Sequence, residues 1–133
     1  MLRTEFEDSR PIFQQLAENL ADDILRGRYA EGEQVPSTNE LAAYLRINPA
    51  TAGKALALLV DQGILVKRRG IGMFVADGSR RRLAAERRER FVDDFIQPLL
   101  AAAGAIGLEA SEIHTLIDRA ASGDGPQTTD RTD

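Results

Sequence analysis

The chain has 133 residues, enough for one compact domain and a small appendage rather than two large domains. It has no cysteine, which excludes disulfides, thiolate zinc sites and a cysteine nucleophile. No apolar run approaches the ~20 residues needed to cross a bilayer, and Met1 leads directly into Arg3-Thr4-Glu5 without an apolar signal core, so a soluble cytoplasmic protein with no membrane partner is expected.

The net charge is −4, but it is unevenly spread: residues 46–82 carry eight Lys and Arg against two acids, a local +6 that leaves −10 for the rest. A basic island inside an acidic chain is an electrostatic footprint that the overall charge conceals.

Residues 1–10 are polar and read as an extended N-terminal arm. Pro11 suits the first position of a helix, where a missing N–H costs nothing, and Ile12, Leu16, Leu20, Ile24 and Leu25 follow at helical spacing. Gly27 and Gly32 end it. Ser37 and Glu40 then stand at capping-box spacing, opening a short helix with Leu41, Ala42 and Leu45 on one side. Asn48-Pro49 combines a preferred N-cap with a preferred first helical residue. It starts a third helix that carries Ala55, Leu56, Leu59 and Val60 and ends at Gly63. Only Arg46 and Ile47 separate these two helices, which is helix-turn-helix spacing.

Beyond Gly63 the period changes. Ile64-Leu65-Val66 and Met73-Phe74-Val75 flank Lys67-Arg68-Arg69-Gly70-Ile71-Gly72 and predict a β-hairpin. The fold class is therefore mainly α with a small β element (α+β): a winged helix-turn-helix over 11–77. After Asp77-Gly78-Ser79 a charged helix (Arg80 to Arg90) runs into an apolar stripe of Phe91, Val92, Phe95, Ile96, Leu99 and Leu100. Pro98 predicts a kink near 94–98. Leu108, Ile113, Leu116, Ile117 and Ala120 mark a last helix, so 78–121 reads as a two-helix segment, and 122–133 as a disordered tail.

The third helix has small residues in its first turns, which suits close entry into a major groove. Asn48, Pro49, Ala50, Thr51, Ala52 and Gly53 fit that role, with Thr51 able to bond a base edge or phosphate and the alanine methyls able to touch thymine methyls. Lys54 suits a phosphate. An exposed glycine inside a helix costs ~1 kcal/mol relative to alanine, and close approach to DNA would account for Gly53; Ala55 and Leu56 read as core. The wing carries Lys67, Arg68 and Arg69 beside Gly70, Ile71 and Gly72, a cationic loop whose glycines let backbone approach a groove. The Ser37 cap is first a stability device and second a helix N-terminus open to phosphate, beside Thr38.

Taken as a set, Pro11-Ile12-Phe13-x-Gln15, Glu31-Gly32-Glu33-Gln34-Val35-Pro36-Ser37-x-x-Glu40-Leu41-Ala42, Asn48-Pro49-x-Thr51, Lys54-Ala55, Leu59, Gly63-Ile64-Leu65 and Gly70-x-Gly72-x-Phe74-Val75 resemble the DNA-binding domain of GntR-type bacterial transcription regulators. The Asn-Pro and the short C-terminal segment resemble the YtrA-like subfamily. The resemblance implies a dimeric repressor, often of an adjacent transporter operon and often autoregulated. It also implies a DNA-contacting Arg where this chain has Asn39, which can bond a phosphate but brings no charge; either the contact is weaker there or Arg46 and Arg68 carry more of it. Ala52-Gly53 departs from the family's more usual pair as well.

The C-terminal stripe holds more apolar surface than two short helices can bury between themselves. Isologous pairing through Phe91, Val92, Phe95, Ile96, Leu99, Leu100, Ile113, Leu116 and Ile117 would cover it and set two recognition helices ~34 Å apart on a palindromic operator. Enzyme chemistry is not expected: His114 is the single histidine, and no phosphate loop, metal-spaced cluster or nucleophile motif occurs, so no cofactor or metal is expected. Two alternatives remain beside a homodimeric repressor of double-stranded DNA. One is a regulator with a small-molecule effector at its dimer interface; the other is a winged helix that meets an acidic protein through its basic wing.

Overall fold

Leu16, Leu20 and Ile24 fall at four-residue steps. In the computed structural model, which describes residues 5–123, they line the inward face of α1 (Ile12–Leu25). Pro11 is the N-cap of this helix rather than its first residue, with ψ of 138°; its ring fixes φ but leaves ψ free, so it fits the extended position just before the helix as well. The expected extended arm is held to the domain from Phe6 onward. The buried Gln15 side chain accepts from Glu7 N (2.8 Å) and donates to the Glu7 and Arg10 carbonyls (2.8 and 2.9 Å), while Phe6 packs on the core. Residues 1–4 of the arm lie outside the described residues, as do residues 124–133 of the tail.

Helix α2 (Thr38–Leu45) opens with the full capping box between Ser37 and Glu40. It closes at Arg46, which adopts the left-handed conformation with φ of 57° and ψ of 48°. Asn48 Oδ1 accepts from Ala50 N (2.8 Å) and opens α3 (Pro49–Asp61). Leu16, Leu20, Ile24, Leu41, Leu56, Leu59 and Leu65 are fully buried in one core, each removing about 1.5–3 kcal/mol of apolar surface cost from water.

Strands β1 (Leu65–Arg68) and β2 (Gly72–Val75) pair antiparallel from Leu65↔Val75 to Arg68↔Gly72. The hairpin is thus longer than expected: Lys67 and Arg68 belong to a strand, and the loop shrinks to Arg69-Gly70-Ile71. The segment ahead of α2 joins it as an unforeseen third strand-like partner, with Val35 N donating to Met73 O (2.9 Å) and Val75 N to Glu33 O (2.9 Å).

Helix α4 (Ser79–Phe91) starts inside the same unit. Its fully buried Ser79 hydroxyl lies within hydrogen-bond distance of the Ile64 and Ala76 carbonyls (2.8 and 2.6 Å). Arg80 Nε donates to Leu25 O (3.0 Å) and Arg82 to Gly63 O. Two arginines of the basic island therefore sit on carbonyls at the C-terminal ends of α1 and α3, where a helix dipole favours cations. The Glu31 carboxylate receives the Gly78 and Arg80 backbone N–H groups, which hold its carboxyl below the usual range.

Partial burial pushes the Asp22 carboxyl up, but hydrogen bonds from Arg26 (2.8 Å) and Arg87 (3.2 Å) outweigh that and leave it lowered. A depressed folded pKa contributes stability above the unfolded value of about 3.9, lost as pH falls through the folded one. The urea midpoint should therefore drop between pH 5 and pH 2, with a shallower slope in Asp22→Asn; an unchanged slope in that variant would remove Asp22 from the account.

The chain divides into two compact units between Arg87 and Arg88. The second contains the end of α4, a π-helical turn (Val92–Ile96), α5 (Gln97–Ala105) and α6 (Ala110–Ala121). The expected disturbance before Pro98 takes the form of this wider turn. Gln97 N bonds to Val92 O, one residue farther back than in an α-helix, in the stretch where Pro98 offers no N–H and its ring crowds the preceding turn. Glu112 accepts from Glu109 N (2.9 Å) at the start of α6. No single helix among the described residues is long and apolar enough to cross a membrane.

Candidate nucleic-acid interface

The N-terminus of α2 and the wing face each other across a cleft of about 370 Å³, lined by Ser37, Thr38, Asn39, Leu56, Lys67, Arg68, Gly70, Ile71, Gly72 and Met73. Eight of the sixteen expected DNA-facing residues thus meet around one concavity. Ser37 Oγ and Asn48 Oδ1 are engaged as caps, so each brings its remaining hydrogen-bonding capacity only. Arg46, Asn48, Pro49, Ala50 and Lys54 are exposed, Thr51 is half-buried, and Arg69 stands in the hairpin loop. Ala52 is 0 % exposed; its methyl belongs to the core and is unavailable to thymine, which leaves Ala50 alone for that role.

Arg10, Arg26, Arg28 and Arg87 are paired with carboxylates, whereas Arg46, Lys54, Lys67, Arg68 and Arg69 have no ion-pair partner among the described residues. Two of these cations rest on aromatic rings instead. Lys54 Nζ lies 4.4 Å from the Phe13 ring centre, and the Arg68 guanidinium 4.5 Å from that of Phe74. A ring orients a cation without cancelling its charge, so both remain able to attract phosphate. Neither phenylalanine was singled out from the sequence as a site residue, and the only signal was its place in the motif.

Gly53 is half-buried beside α2. A Cβ built there would meet Thr38 Cγ2 at 3.6 Å, ordinary van der Waals contact. Alanine fits, and would stabilise the helix by up to ~1 kcal/mol. Gly53→Ala should therefore raise the urea midpoint yet weaken DNA affinity several-fold; a variant both more stable and equally tight would detach Gly53 from DNA approach. Gly72 differs: its φ is +142°, a backbone conformation that side chains rarely adopt, so glycine is favoured there by the fold itself.

In the second unit, Phe91, Val92, Phe95, Leu99, Leu100 and Ile117 are exposed, as is Ile106 at 75 %, which the sequence reading missed. Ile96 and Leu116 are half-buried. Ile113 is 6 % exposed, the one buried residue of the nine expected at the interface, because it lies where α6 meets α5. An open groove of about 370 Å³ between α5 and α6 is lined wholly by apolar side chains, among them Ala103, Ile106, Ile113 and Ile117.

A short capped helix, a second helix entered through Asn48-Pro49 and a cationic hairpin across a cleft define a winged helix-turn-helix, a class of DNA-binding protein. Residues 12–75 match the family model described as bacterial regulatory proteins, gntR family. The chain is 27 % identical over 117 residues to the HTH-type transcriptional repressor YtrA of Bacillus subtilis, covering 88 % of this chain and 89 % of that one. Its structure is similar to a GntR family transcriptional regulator from Listeria monocytogenes, with a TM-score of 0.70 and 26 % identity over 86 % of this chain and 98 % of that chain. It is also similar to YtrA from Sulfolobus acidocaldarius, a GntR-family transcription factor, with a TM-score of 0.55 and 28 % identity over 69 % and 97 %. Residues 12–75 thus carry the DNA-binding domain of the gntR family of bacterial regulatory proteins, and the relatives named are transcription regulators rather than enzymes.

Proposed function

We propose that this chain is a homodimeric, cytoplasmic repressor that binds a palindromic operator through the cleft between α2 and the wing and through the first turns of α3. The observation that carries the DNA face is the grouping, on the helix-turn-helix and wing, of five cations without carboxylate partners among the described residues. The named contacts are Ser37, Thr38, Asn39, Arg46, Asn48 to Thr51, Gly53, Lys54 and Lys67 to Gly72. Repression is supported by the likeness to a repressor over nearly its whole length. The regulated operon is proposed to include the chain's own gene and to be transporter-linked.

The dimer rests on the second unit. Seven of the eleven exposed large apolar residues among those described fall within 91–117, while Ala103 and Ile113 are the only buried apolar residues there. So thin a core is not self-sufficient, and a two-fold related copy presents a matching surface. The wholly apolar groove between α5 and α6 favours a second reading, in which an apolar effector enters there and shifts the dimer.

The experiment is selection of duplexes from a random-sequence pool, followed by binding to the winning sequence and to the chain's own upstream region across a salt series. The reading expects an inverted repeat and a steep negative salt slope. A chain that enriches no sequence and ignores duplex DNA at low salt would falsify it.

A further inference from the structure

The wing is separated in sequence by α3 from the α2 N-terminus it faces, and two glycines with positive φ shape its turn, Gly70 (+76°) in the loop and Gly72 (+142°) at the start of β2. Such a loop has little stiffness of its own. One side chain from the body of the domain reaches it: Gln34 Nε2 donates to the Ile71 carbonyl at 2.9 Å. The backbone of Gln34 bridges Phe74, so the side chain starts from a fixed point on the sheet. It passes so close to Gly72 that any Cβ there would overlap its amide nitrogen.

We propose that Gln34 is a positioning residue for DNA affinity: it clamps the wing loop at a set height over the cleft without being required to touch DNA. Gln34 stands three residues ahead of the Ser37 cap, so the strand that ends in α2 also fixes the loop opposite α2. The two walls of the cleft are gauged from one short segment, Gln34 to Ser37. A free wing would have to be ordered on each encounter, and the clamp removes that ordering cost before DNA arrives. The proposal rests on the DNA-binding reading of the cleft.

Gln34→Met in the full chain keeps the length of the side chain and removes the donor. Amide exchange at Gly70 to Met73, measured without DNA, should speed up by about 5-fold, as expected for the loss of one hydrogen bond. Affinity for a labelled 30-base-pair random-sequence duplex at low salt should fall about 3- to 10-fold, with a shallower salt slope. In an Arg68→Ala/Arg69→Ala background the same substitution should change affinity by less than about 2-fold, because a wing without its cations gains nothing from being held. Unchanged exchange overturns the clamp. An equal loss of affinity in both backgrounds also overturns the proposal, since Gln34 would then act directly or through general stability. A wild-type chain that binds no duplex defeats the DNA reading instead, and the exchange result identifies that case.

Discussion

Phe95→Asp should leave a folded chain that is monomeric and has lost at least about 100-fold in affinity for an inverted-repeat operator, the lower range of the avidity gained by joining two modules. Phe95 is 61 % exposed, so its replacement takes little from the chain's own core. Its ring stands 5.3 Å from that of Phe91, and the pair heads the exposed stripe. A carboxylate at its centre would have to be buried unpaired against a second copy, a cost of several kcal/mol. Sedimentation equilibrium reads the mass and fluorescence anisotropy the affinity. A single half-site duplex should bind wild type and variant equally. A variant that stays dimeric would move the interface off this stripe, and one that is monomeric yet equally tight on the full operator would uncouple assembly from binding.

Arg68→Glu with Arg69→Glu should weaken binding to operator and unrelated duplex alike by about 100-fold or more at low salt, from two lost charge-assisted contacts worth ~1.5–3 kcal/mol each plus repulsion. The log–log salt slope should become less negative by about 2. Neither arginine is ion-paired among the described residues, so reversal breaks no salt bridge; the loss of the stack on Phe74 is worth only about 0.5–1 kcal/mol at an exposed site. A thermal midpoint within a few degrees of wild type would show that the fold survives. Loss confined to the selected operator, with unrelated duplex unaffected, would contradict the assignment of the wing to general phosphate attraction and make it a base reader.

What could be read beforehand follows from the range of each interaction. The Ser37–Glu40 box and the Asn48-Pro49 helix start are local, spanning two or three residues, and both stand in the structure where the spacing put them. The hairpin was legible because its β-prone runs are adjacent. The clamp from Gln34 to Ile71 was not, since 37 residues separate donor and acceptor and a glutamine in a polar turn carries no signal of its own. Arg80 and Arg82 show the converse: charge counting added them to the basic island, but their partners are carbonyls at Leu25 and Gly63, and carbonyls leave no trace in composition. The burial of Ala52 and of Ile113 was not legible, for a shared reason. Periodicity assigns a residue to a helix face, but which neighbour covers that face is decided by helix packing.

Arg46 carries a consequence for how such a protein evolves. It is the one non-glycine residue with positive φ among those described, and the left-handed conformation costs an ordinary side chain roughly 1–2 kcal/mol. Arg46→Gly should raise the melting temperature of a unit this size by several degrees, read by calorimetry, while an equal or lower midpoint would show that the turn carries no such strain. Selection for heat tolerance alone would find glycine here and alanine at 53. On the proposed reading, in which Arg46 and Gly53 face DNA, operator affinity and stability make opposed demands at both positions.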